Sequence, residues 1–295
     1  MRWVINGLDK HFFRYEKGEV IPDSNKINLL SSVLGVDAGY FFRTTQVVMG
    51  DVEFRKLSKM PQKEAVIIRE VTKEKLSRYL ELEEILGLSH AFEDCLKDFE
   101  VVTDYGQVNR AASLLREKWG LGSGPIYNIV ELLEGKNIKV LGLRGNDDFD
   151  GLQTKVNDGI PVIAYNANKI SKPDRVRFTL LHELAHLLLK FGDITEKQKE
   201  VLCHQFAGAM LLPEGMLIGE LGERRNNLSM NELGGIKKRY GISMQAIVMR
   251  ARDCGIISQS YAKQFFFLMN QMNWKVEEPV AVSYTHLTLP TICSV

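Results

Sequence analysis

The chain has 295 residues, 45% hydrophobic and 25% charged, with a formal net charge of +1. That is ordinary globular composition, and the length suits two domains better than one. A charge so near zero excludes a strong global pull toward nucleic acid or an anionic membrane, so any DNA contact would rest on a local patch.

The first ten residues, MRWVINGLDK, contain no apolar core of a secretory signal. The densest apolar runs, Leu187–Leu189 and Phe265–Met269, are far too short to span a membrane. Cys95, Cys203, Cys254 and Cys293 stand far apart without a CxxC pair, which argues against a disulfide framework or a thiolate zinc site and for reduced thiols in a cytoplasm.

In chain order, residues 1–45 read as short helices, with turns at Gly18–Pro22 and Gly35. Asp23 or Ser24 can cap a helix on which Ile27, Leu30 and Leu34 recur at helical spacing. Residues 46–100 are charge-rich, and Glu70–Leu86 has the pattern of a solvated amphipathic helix in a connector. Val108–Trp119 is helical in pattern and LGSGP breaks it. A helix restarts at Pro125–Leu133. Ile138–Leu143 and Gly159–Tyr165 read as strands, with a glycine-bounded turn, Gly145–Gly151, between them. Helix returns over 220–278, interrupted at Gly241 and Gly255. Helix and short strand segregate, so the fold class expected is α+β, mostly helical with a small sheet.

The chemistry concentrates in one stretch. Asp174 can cap a helix running through RVRFTLLHELAHLLLK. On it His182 and His186 are i and i+4, so both imidazoles leave one face a turn apart and can hold one Zn²⁺. Glu183 points to one side of that pair, where a carboxylate can act without ligating. A catalytic zinc wants three protein ligands and an open fourth position. Fourteen residues on, Glu200 opens a second helical pattern in which Leu202, Phe206, Ala209 and Met210 bury one stripe. Glu200 and His204 share a neighbouring face, and Glu200 can complete a His₂Glu set. Glu196 is the rival third ligand.

These residues carry a resemblance. RFTLLHELAHLLLK followed by Glu200-x-x-x-His204-QFAGAMLLP resembles the ImmA/IrrE group of HExxH metallopeptidases, and the similarity extends over about 104–279, through WGLGSGPI, DFDGL and PVIAYNAN. It implies that His182, His186 and Glu200 are zinc ligands and Glu183 the general base of a zincin-like peptidase domain. Two positions depart from the family pattern, Cys203 and His204 standing where a small residue and Asn are usual. His204 reads either as a group hydrogen-bonded to a ligand or as a surface histidine, while Tyr165 and His204 are both candidates to support an oxyanion.

Near the amino terminus, FFRYEKGEVIPDSNKINLLSSVLGVDAGYFF resembles the back half of a phage-repressor-type (XRE/Cro) helix-turn-helix. By that likeness Asp9–Lys17 is a recognition helix offering Lys10, His11 and Arg14 to DNA over a mini-core of Ile27, Leu30, Leu34, Val36 and Phe41. Only eight residues precede that helix, where such domains have two helices. At the other end, VAVSYTHLTLPTICSV resembles translated adapter read-through, so Val280–Val295 is set apart and His286 and Cys293 are not counted as ligands. The division expected is 1–45 a partial helix-turn-helix, 46–100 a helical connector, 101–219 the peptidase core, 220–279 its helical continuation and 280–295 a non-native tail. In residues 228–258 five basic residues suggest a second DNA reader, but Ile242, Ile247 and Val248 look like packing.

The resemblance implies a zinc peptidase that cuts a partner repressor, itself often helix-turn-helix, and the cysteine usage and short apolar runs lead to the expectation of a cytoplasmic place away from any membrane. A DNA-binding regulator with a sensory, non-cleaving zinc domain is the alternative, and a toxin–antitoxin component has the same architecture. His₂Glu ligation also admits Mn²⁺ or Fe²⁺.

Overall fold

A computed structural model describes residues 14, 15, 17–35, 37–42, 47, 61–88, 91–145, 150–157, 159–170, 172–274 and 278–280. The chain divides into two compact units, Met1–Gln46 and Val47–Val295. In the first, α1 (Ser24–Leu34) starts at Asp23, whose carboxylate accepts from the Lys26 amide, and stops at Gly35 in the left-handed region. Ile27 and Leu30 are buried, but Leu34 is 53% exposed and so is no part of the expected mini-core. Val36 lies outside the described residues. Phe41, in a 3₁₀ turn over Ala38–Phe42, is half-buried.

The second unit is α+β. Its elements are α2 (Gln62–Leu86), α3 (Tyr105–Lys118), α4 (Ile129–Glu134), β1 (Lys139–Leu143), β2 (Gly151–Val156), β3 (Ile160–Asn166), α5 (Pro173–Leu188), α6 (Glu196–Leu211), α7 (Glu214–Leu221), α8 (Met230–Tyr240), α9 (Met244–Asp253) and α10 (Gln259–Gln271). The sheet has the order β1-β3-β2, with β3 parallel to β1 and antiparallel to β2. Alternate residues serve opposite faces. Val140 and Ile163 join the main core with α3 to α10, whereas Leu141, Leu143, Leu152 and Val162 form a second cluster with Ile68 and Leu76 of α2. The connector segment therefore carries a helix that covers one face of the sheet. The Lys75 ammonium bonds the Gly142 carbonyl and the Lys139 ammonium reaches Glu83, fixing α2 to β1.

Four local expectations are corrected. The segment read as a turn and its sequel contains a third strand, β2. Helix α4 begins at Ile129, not Pro125, because Asn128 caps the Glu131 amide and the carbonyls of Ile126 and Tyr127 are taken by Arg177. Asp174 is not the cap of α5: Lys172 holds that place without a side-chain bond, and Pro173 supplies the first turn. Asp174 instead bonds Lys237 at 2.9 Å. Finally, α6 begins one turn before Glu200, at a capping box in which Thr195 and Gln198 satisfy each other's amides.

Among the described residues no single helix is long and apolar enough to cross a membrane. Helix α6 is apolar because Phe206 to Leu211 are all core. Ile242, Ile247 and Val248 are buried, as packing requires. Cys95, Cys203 and Cys254 are free thiols, and the Cys254 sulfur lies 3.0 Å from the Tyr105 hydroxyl.

Candidate metal centre

Helix α5 is sunk in the core on Leu180, Leu181, Leu184 and Leu188. Each such side chain contributes roughly 1.5–3 kcal/mol on burial, so the helix that carries both histidines has little freedom to shift. Its amino-terminal end is tied by Asp174, which with Glu278 brackets the buried Lys237 ammonium. Burial alone would lower the Lys237 pKa, but its bonds to Glu278 and Asp174 together outweigh this and hold it above the ordinary lysine range. The middle of the helix is tied by Arg177, whose guanidinium donates to the carbonyls of Ile126, Tyr127, Tyr240 and Gly241.

On this rigid support the structure brings His182, His186 and Glu200 together. The two histidine Nε2 atoms are 3.2 Å apart. Glu200 places one carboxylate oxygen 3.3 Å from His182 Nε2 and the other 3.2 Å from His186 Nε2. Three ligands of a tetrahedral zinc with bonds of about 2.0–2.1 Å are separated by about 3.3–3.4 Å. The donor set and its spacing therefore fit a divalent metal. The histidine side chains are each 7% exposed and that of Glu200 38%, so the centre opens on the Glu200 side.

Glu183 is 2% exposed, on the flank of α5 that meets the sheet. The close neighbour is Gly151, the first residue of β2. A Cβ built there would lie 2.8 Å from Thr179 Cγ2, 2.9 Å from Glu183 Cγ and 3.0 Å from Glu183 Oε1. Only glycine lets the strand come that near. In sequence Gly151 has the look of a turn glycine; the alternation of Leu152, Thr154 and Val156 is the signal for the strand that begins with it.

His204 stands beside the centre. Its ring lies 4.3 Å from that of His182 and 5.8 Å from Phe178. His182, Glu200 and His204 each have a possible donor atom within a common 4.8 Å, so His204 is also near enough to take part in holding a metal. His204 Nδ1 lies 2.6 Å from the Glu200 carbonyl, which can only accept, so the ring donates there. A neutral His204 then offers Nε2 as an acceptor alone, and donating to an oxyanion would take the imidazolium. Tyr165, on β3 opposite Gly151, has its hydroxyl 3.2 Å from where a Gly142 Cβ would sit, over β1. Glu196 is exposed at the start of α6. Lys10 and His11 lie outside the described residues; Arg14 is exposed and 3.6 Å from Glu19.

Residues 134–252 match the model of peptidase family M78, described as the IrrE N-terminal-like domain. The match runs from the end of α4 to α9 and contains His182, Glu183, His186, Glu200 and His204. No curated protein matches the chain. The IrrE-like stretch thus gives the chain a metallopeptidase-like domain, of a metal-dependent family, around a group of residues able to hold a metal.

Proposed function

We propose that the IrrE-like domain is a metal-dependent endopeptidase, with His182, His186 and Glu200 as ligands and Glu183 as general base. The observation that supports this reading is that the Nε2 atoms of His182 and His186 lie 3.2 Å apart, with one Glu200 oxygen 3.3 Å from the first and the other 3.2 Å from the second, separations close to those between ligands of one tetrahedral zinc. A divalent metal held there supplies Lewis-acid polarisation of a peptide carbonyl and acidifies water at the open position. The chain's own groups do the remaining work. Glu183 takes a proton from the attacking water and delivers it to the amine that leaves. Gly151 and Thr179 hold that carboxylate in place, and its burial excludes competing solvent. Zinc is the metal we assign, with Mn²⁺ and Fe²⁺ compatible with the same donors. The substrate we assign is a helix-turn-helix repressor, following the likeness to the ImmA/IrrE group.

Mass spectrometry of metal content, joined to a cleavage assay on such a repressor, tests the proposal. The wild type should hold about one metal per chain, and His182→Ala and Glu200→Ala should lose it. Glu183→Gln should keep the metal while cleavage falls by about 10²–10⁴-fold. A wild type that stays empty after zinc is supplied refutes the ligand set, and a fully active Glu183→Gln refutes the base.

A further inference from the structure

Helix α2 has two apolar faces. Ile68, Thr72 and Leu76 turn inward and cover the sheet, and the bonds of Lys75 and Lys139 hold the helix against β1. On the other side Ile67, Val71, Leu82 and Ile85 are 53, 38, 51 and 74% exposed. Glu74 and Arg78, ion-paired across one turn and both part exposed, stand between them. With 3.6 residues per turn, these six residues fall within about 80° of one another, while Leu76 points the opposite way. Scattered exposed hydrophobics need no explanation, but four in one row on a rigid helix mark a contact surface.

The order of the row says what fits it. Ile67 and Ile85 each lie nine residues from Leu76, Glu74 and Arg78 each lie two, and Val71 and Leu82 lie five and six. The row is therefore nearly palindromic in both shape and charge, with opposite signs at mirrored positions. A second α2 laid antiparallel across it sets Ile67 on Ile85 of the other copy, Val71 beside Leu82, and Glu74 on Arg78. Each contact then occurs twice, as a twofold interface requires. Parallel pairing would set Glu74 on Glu74 and Arg78 on Arg78, so the charged middle selects the antiparallel arrangement. Glu74 and Arg78 keep their bond within the helix and each gains a second opposite charge. Glu70 and Glu81, both exposed, border one side of the row.

We propose that the outer face of α2 binds a second copy of this chain, the two helices lying antiparallel about a twofold axis near Leu76. The row is about 27 Å long, so the interface belongs to the small end of the range and its affinity to the weak end. The pairing involves neither the metal nor cleavage, and stands apart from the peptidase reading.

Sedimentation equilibrium of the full chain, from about 1 to 100 μM, is the test. The wild type should pass from the 33.5 kDa monomer to twice that mass as concentration rises. Ile67→Glu with Ile85→Glu should remove the dimer and leave the melting temperature of the monomer unchanged, because both side chains are exposed. Glu74→Arg alone, and Arg78→Glu alone, set like charges against each other and should weaken the dimer by about tenfold or more. Mixing those two proteins restores opposite charges at both positions and should recover the dimer, whereas Lys118→Glu, an exposed reversal on α3, should change nothing. A wild type that stays monomeric overturns the proposal, as does a dimer that survives in the folded double-isoleucine variant. Should that variant fail to fold, the charge pair decides alone: a mixture no more dimeric than its two components overturns the antiparallel pairing.

Discussion

Gly151 sets how closely strand β2 can approach the Glu183 carboxylate. A methyl group at that position meets Thr179 Cγ2 at 2.8 Å and Glu183 Cγ at 2.9 Å, distances at which something must move. Thr179 is β-branched, buried and held in a helix, so it yields little. Glu183 yields instead, and with it the carboxylate we propose as general base. Gly151→Ala should therefore cost about 1–3 kcal/mol of stability through overpacking, visible as a lower melting temperature, and reduce cleavage far more than metal content. Adding Thr179→Ser removes the methyl carbon on one side and should restore part of both. If Gly151→Ala alone melts and cleaves as the wild type does, the close approach has no role. The histidine pair was readable from sequence because i and i+4 on any helix meet. The glycine is not, because in sequence it closes a glycine-bounded turn and only the pairing of β2 with β3 shows that it also opens a strand.

Among the elements, α8 shows how one end of a helix can set a pH response. Ser229 and Glu232 form a capping box, and Glu232 also accepts from Arg225 at 2.8 Å. The hydrogen bonds to Ser229, backbone first, and then that to Arg225 pull the Glu232 carboxyl down to about 2. A carboxyl lowered on folding stabilises the fold above its unfolded value, near 4.5, and loses that contribution as pH falls through about 2. The side chain is solvated, so the loss is that of an exposed cap, about 1 kcal/mol. Thermal melts between about pH 2 and pH 5 should show a steeper decline for wild type than for Glu232→Gln, the curves meeting at the acid end. Parallel curves over that range would remove the cap from the response. Capping also explains what the sequence withheld about α5 and α6. Asp174 has a good cap residue's chemistry, but Lys237 competes for its carboxylate. Thr195 and Gln198 carry the spacing of a capping box, which starts α6 one turn before Glu200.

For the molecule as a whole, the sheet decides which parts of the chain belong together. Its three strands are buried on both faces, by α5 and its neighbours on one and by α2 on the other. The charge of α2 made it read as solvated, since only Ile68, Thr72 and Leu76 form the buried stripe and most of the remaining surface is polar or exposed. A period of four in so long a helix is a thin signal beside its lysines and glutamates, and nothing in sequence tells which surface it covers. The consequence is testable by truncation. Removing residues 1–46 takes away a separate compact unit and leaves Val47 and the second cluster whole. Removing 1–90 also strips α2 and exposes Leu141, Leu143, Leu152 and Val162, at roughly 1.5–3 kcal/mol each. Against a total stability of about 5–15 kcal/mol, that loss is enough to end cooperative folding. Calorimetry should find the 47–295 chain melting sharply with its metal bound, and the 91–295 chain without a cooperative transition and binding a hydrophobic dye. A sharp, metal-retaining melt of the shorter chain would mean that α2 is a connector after all, and that the IrrE-like stretch folds on its own core.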